Sequence, residues 1–138
     1  MAYTDIQRWP LSVVATGVEI FDMVQAANTV LWSYVVPTGH PGFTLQAVEQ
    51  QVAVVMGGTT AAQIKIYKKL SGGSNVLLKT CTANGLTDAV GTTLYDRVVP
   101  TSTTSNQFAE GDTLEIQVAV TATSTGKTKI TLHIAPNT

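Results

Sequence analysis

Residues 111–134 constrain the fold more than any other stretch of the chain. Leu114, Ile116, Val118 and Val120 alternate with Thr113, Glu115, Gln117 and Ala119. After the polar link 121–126, Ile130, Leu132 and Ile134 alternate with Lys129, Thr131 and His133. Side chains in a strand change face at every residue, so each run predicts a strand with one buried and one wet face. The short Ser/Thr/Gly link makes the two an antiparallel hairpin. A lone hairpin has nothing to bury its apolar face against, so the preceding residues must supply the opposing sheet.

The preceding chain supplies strands at near-regular intervals. Residues 13–24 are mixed, with Val18, Ile20 and Asp22 expected on one face and Glu19 and Phe21 on the other. Residues 29–36 read as a firmer strand carrying Val30, Trp32, Tyr34 and Val36 on one face, ended by Pro37 and a loop of breakers to Gly42. Residues 43–56 form the longest candidate. Phe43, Leu45 and Ala47 share one parity, whereas Val52, Val54 and Met56 share the other. A switch of parity predicts a bulge, expected over residues 48–51. Strands over 62–69, 76–81 and 92–99 follow, separated by Gly-rich or Asn-Gly turns. Eight strands with no credible helix predict an all-β chain, an eight-stranded antiparallel sandwich of jelly-roll type, with an immunoglobulin-like sandwich as the second choice. Residues 1–12 show neither period and read as an extended N-terminal arm on a single domain over residues 13–138. Pro10 pushes Trp9 toward extended geometry, and a Trp on an irregular terminus is expected to dock on its own domain or on a neighbour.

Composition narrows the function classes. Only 12% of residues are charged, with a net charge of −1, and 22 are threonine. Soluble domains carry about a quarter charged residues, so this surface repels its own copies weakly and favours subunit packing. The charge balance gives no pull toward nucleic acid or anionic membrane. The single cysteine, Cys81, excludes an intrachain disulfide and reads as a small core residue. No signal peptide is evident, and no stretch reaches the roughly 20 apolar residues that span a bilayer.

The search for chemistry finds little. His40 lies in the 37–42 loop without carboxylates or cysteines at ligand spacing, and His133 sits on the wet face of the last strand, so neither a metal nor a cofactor is expected. No nucleophile elbow, phosphate loop or dinucleotide fingerprint occurs, and an enzyme is not expected. Asp112, beside Gly111, is placed to bond the backbone at a strand entrance. Two groups remain as binding candidates. Lys65, Lys68, Lys69 and Lys79 fall on neighbouring strands and form either a basic patch for an acidic partner or simple protection of a strand edge. Trp32 and Tyr34 share a face and form either a sugar-binding platform or part of a core or interface.

The small, Cys-poor, Thr-rich, helix-free chain with its arm, and the phrase 108–118 (Phe-Ala-Glu-Gly-Asp-Thr-Leu-Glu-Ile-Gln-Val) entering the closing hairpin, resembles small tailed-bacteriophage virion proteins of the head decoration (cement) type. The resemblance implies a structural protein of the virion, made in the host cytoplasm, that clamps a capsid lattice as an oligomer, with a trimer favoured. Its partners would be its own copies and the major capsid protein or another virion protein. Ile6, Trp9 and Leu11 are the candidate anchors on the arm. The competing expectation is a carbohydrate- or receptor-binding module, such as a fibre tip, that uses Trp32 and Tyr34.

Overall fold

The computed structural model describes residues 13–14 and 19–137, and every described element of regular structure is a β-strand. The strands are β1 (Val13–Val14), β2 (Glu19–Asp22), β3 (Val30–Val35), β4 (Phe43–Val54), β5 (Gln63–Lys69), β6 (Asn75–Thr80), β7 (Thr93–Arg97), β8 (Gln107–Phe108), β9 (Thr113–Val120) and β10 (Lys127–Pro136). The eight predicted segments are all present. The first is divided into β1 and β2, and the two-residue β8 is an addition too short for periodicity to reveal.

Two antiparallel sheets face each other. One runs β1-β10-β4-β7, with β2 also on β10 and β8 also on β4; the other runs β3-β9-β5-β6. Counting β1 with β2 as one broken strand and setting β8 aside, the orders are first-eighth-third-sixth and second-seventh-fourth-fifth. Apart from β5 and β6, which pair within one sheet, successive long segments pass between the sheets in nested Greek keys, the jelly-roll arrangement. This order displaces the immunoglobulin-like alternative. Residues 23–29 carry the chain from the β2 edge of one sheet to the β3 edge of the other, so these two edges share a flank. β7 and β6 form the opposite flank.

The predicted antiparallel hairpin of β9 and β10 does not form: β9 bonds β3 and β5 in one sheet, β10 bonds β1, β2 and β4 in the other, and the 121–126 link crosses between the layers. β9 is central in one sheet and β10 in the other. Leu114, Ile116 and Val118 from β9 meet Ile130, Leu132 and Ile134 from β10 in one core, joined by Leu45, Val48, Ile64, Ile66 and Phe108. Their predicted inward parity follows from pairing with inward neighbours on both sides. Burying one such Leu or Ile side chain contributes about 1.5–3 kcal/mol.

The parity of β3 and β4 differs from expectation: Val30, expected on the face of Trp32 and Tyr34, is 46% exposed opposite Gln117, because the register against β9 slips between Val30 and Trp32. β2 keeps the predicted alternation, with Phe21 buried and Ile20 60% exposed. Phe21 sits opposite Thr128 on the inner side of β10, whereas Ile20 sits opposite Lys129. In β4, the register against β10 slips between Leu45 and Ala47 and again between Val52 and Val54. The extra residues are thus Gln46 and Ala53 rather than one within 48–51. After Gln46, Val48, Gln50 and Val52 point inward, and the second slip turns Val54 outward to 39% exposure.

Candidate functional site

Trp32 and Tyr34 stand on the inner side of an edge strand. Opposite them in β9 are Ile116 and Leu114, both fully buried, so all four side chains share the face that packs on the core. The two rings stack with centroids 6.2 Å apart and planes 8° from parallel. Tyr34 continues to Phe43 at 6.2 Å, and Phe43 stacks on Phe108 at 4.9 Å. This aromatic run ties β3 to β4 and β8 across the layers, and burial raises the Tyr34 hydroxyl above its usual value near 10. Both rings keep one partly exposed side, at the open edge of the sandwich.

The four lysines do not form one patch. Lys68 shares the parity of Ile64 and Ile66, points inward and is buried. Its ammonium donates to the Gln107 carbonyl, lies 3.9 Å from an Asp112 oxygen and sits over the Phe108 ring. Lys79 pairs opposite inward-facing Ile66. Only Lys65 and Lys69 remain on the outer face, flanking Tyr67; Lys65 reaches across that ring at 5.3 Å and also donates to Asn28 Oδ1. The patch reading fails because β alternation sends neighbouring lysines to opposite faces. The arm anchors Ile6, Trp9 and Leu11 lie outside the described residues.

A different set of side chains gathers at the β4–β7 ladder. An open groove of about 440 Å³ lies there, lined by Thr44 and Gln46 from β4, Tyr95 and Arg97 from β7, and Val98, Val99, Pro100 and Asn106 beyond it. The bulge at Gln46 shapes one wall. Asn106 fixes the other: its buried amide donates to the carbonyls of Leu45 and Val98 at 2.9 and 3.1 Å, holding the return of the 98–106 loop against the sheet. Tyr95 is 56% exposed yet held in place. Its ring meets that of His133 edge-on at 5.5 Å, and His133 Nε2 is 3.2 Å from Glu49 Oε1.

No protein-family model matches the chain, and no curated protein does. Its own geometry therefore carries the functional reading. Among the described residues no three His, Cys, Asp or Glu side chains gather as a metal-binding group. His40 is buried, with Nδ1 accepting from the Gly42 amide at 2.9 Å, and burial lowers its pKa below the usual value near 6.5. Cys81 is buried and its thiol is pushed up to about 12, first by burial and then by Asp96, against a smaller opposing pull from Lys79. A thiol at that value is not a nucleophile at neutral pH.

The groove went unnoticed in the sequence because its walls come from segments about fifty residues apart. One signal was available: Tyr95, Arg97 and Val99 share the outward parity of β7, an aromatic and a guanidinium in a row on a wet face.

Proposed function

We propose that the chain is a structural virion protein of the capsid decoration type, a non-enzymatic clamp that binds its own copies and a capsid lattice. One observation carries this reading. Ile20, Val24, Val30 and Val35 all stand exposed on the flank shared by β2 and β3, and β1 lies on that same flank, beside β10. Apolar side chains left exposed around one edge of a charge-poor surface mark a contact for another protein. The clamp would set this edge against a neighbouring subunit, with the arm carrying Ile6, Trp9 and Leu11 to an adjacent site. The jelly roll supplies a stiff body between these contacts, and trimerisation would multiply weak single contacts into tight attachment.

The experiment is deletion of residues 1–12 combined with light scattering and co-sedimentation on purified capsid shells. The full chain is expected to be an oligomer, a trimer foremost, and to pellet with the shells. The truncated chain should keep a β-rich circular dichroism spectrum and lose shell binding. A monomeric full chain that ignores every shell, or a truncated chain that binds as well as the full one, overturns the reading.

A further inference from the structure

The Tyr95–Arg97 groove lies at the other end of its sheet from the β2–β3 flank, and its contents differ in kind. Arg97 makes no hydrogen bond or ion pair with any described residue. The two carboxylates closest to it in sequence and register are both committed elsewhere. Asp96 turns inward and accepts from the Thr82 amide and hydroxyl at 3.0 and 2.8 Å. Glu49, opposite Tyr95 and two register positions from Arg97 across the ladder, is turned to His133. No carboxylate lines the groove. It therefore offers one unpaired guanidinium, whose planar fork matches a carboxylate with two parallel hydrogen bonds.

The other lining groups define the shape of the partner. The Tyr95 ring is oriented before any ligand arrives, through its contact with His133 and the grip of Glu49 on that imidazole. A half-exposed, fixed aromatic face attracts the slightly positive C–H edges of a saturated ring. Gln46 supplies an amide, and Thr44, whose hydroxyl donates to Asn137 Oδ1 at 3.1 Å, keeps an acceptor oxygen, both suited to the hydroxyls of such a ring. Val99 and Pro100 close the far side with apolar surface.

Two other ligand classes fit less well. An extended peptide adds to a sheet through main-chain bonds, which lie in the plane of the sheet; this groove opens on the face, where side chains do the recognising. Nucleic acid needs several cations along its phosphates, and here there is one.

We infer that the groove is a binding site for a saccharide carrying a carboxylate, with Arg97 on the carboxylate, Tyr95 against the ring and Gln46 and Thr44 on its hydroxyls. The site lies away from the proposed assembly flank, so the two readings stand or fall separately.

The test is a heteronuclear NMR titration of the full, isotope-labelled chain with 3′-sialyllactose, with a galacturonic acid trisaccharide, and with lactose as the neutral control. Saturable shifts centred on residues 44–46 and 95–100 are expected with at least one acidic sugar and not with lactose. Arg97→Gln and Tyr95→Ala should each weaken binding about tenfold or more. Both positions are exposed, so these variants should keep the wild-type spectrum elsewhere. Absence of saturable shifts with both acidic sugars, equal binding of lactose, shifts centred on Trp32 and Tyr34 instead, or binding unmoved by both substitutions overturns the inference.

Discussion

Asn84 donates its side-chain amide to Gln50 Oε1 across 2.8 Å, with neither residue exposed to solvent. Gln50 passes the bond on, donating Nε2 to the Thr82 carbonyl at 3.0 Å, and the Asn84 backbone amide donates to the Ala62 carbonyl at 2.7 Å. The connection between β6 and β7 is thereby fastened to the middle of β4 in one sheet and to the start of β5 in the other. This polar clasp closes the β6–β7 flank where an apolar core alone would leave the loop unattached. It is incomplete, because Asn84 Oδ1 has no partner among the described residues.

Gln50→Ala should destabilise the fold by about 3 kcal/mol, since it strands the buried Asn84 amide and takes the donor from the Thr82 carbonyl. Replacing both partners, Gln50→Leu with Asn84→Leu, should recover a good part of that loss, because only the Thr82 carbonyl, on an exposed residue, is then left without its donor. Urea unfolding of the two variants beside wild type decides the point. A double variant no more stable than Gln50→Ala would mean that the clasp is worth more than its desolvation.

Asp112 is the second fastening, and its position before β9 made it legible. Its carboxylate accepts from the amides of Ala109 and Ser71 at 2.9 and 3.2 Å, and the buried Lys68 ammonium lies beside it. Asp112→Ala should cost about 3–5 kcal/mol, because the lysine is left as a buried charge without its counter-charge and two amides lose an acceptor. Lys68→Met should cost less, since the carboxylate keeps both amide donors. The order of the two unfolding midpoints is the measurement, and the reverse order would place the main stabilisation in the Lys68 bond to the Gln107 carbonyl.

Two glycines with the same backbone angle separate strain from collision. Gly39 and Gly42 have φ values of 82° and 83°. A Cβ on Gly39 meets nothing within 4 Å, whereas one on Gly42 would overlap the Phe108 carbonyl oxygen. Gly39→Ala should therefore cost only the left-handed penalty of about 1–2 kcal/mol. Gly42→Ala must also push β8 off β4, and should leave little folded protein at 25 °C by circular dichroism.

Much of the architecture was written in alternation, and the places where it was not share a cause. β5, β9 and β10 carry apolar residues at strict period two, and their faces follow directly. In β2 the apolar pair Ile20 and Phe21 is adjacent, so parity alone does not choose; the larger ring takes the interior. In β4 the parity switch was visible, but a bulge moves every residue after it, and only pairing with β10 locates the extra residue at Gln46. Lys68 shows the opposite failure. Its parity with Ile64 and Ile66 pointed inward, while its charge pointed outward; the interior prevails because Asp112 and a carbonyl receive the ammonium. The groove depends on long-range strand order, which places Thr44 and Gln46 beside Tyr95 and Arg97, and no local pattern encodes that neighbourhood.

The last prediction concerns acid. His40 Nδ1 accepts from the Gly42 amide inside the 37–42 loop, so that nitrogen must be free of a proton in the folded state, and burial lowers the imidazole pKa accordingly. The unfolded chain takes up a proton as pH falls through about 6.5, whereas the folded chain resists until a lower pH. The contribution of this neutral histidine is therefore complete above that value and is lost as pH falls toward the folded-state pKa. Urea midpoints should drop between pH 7 and pH 5. In His40→Asn the shorter side chain keeps an acceptor for the amide two residues on, as Asn does in turns, but has nothing to titrate. Its midpoint should fall less over the same interval. An equal fall in both proteins would assign the acid sensitivity to groups other than His40.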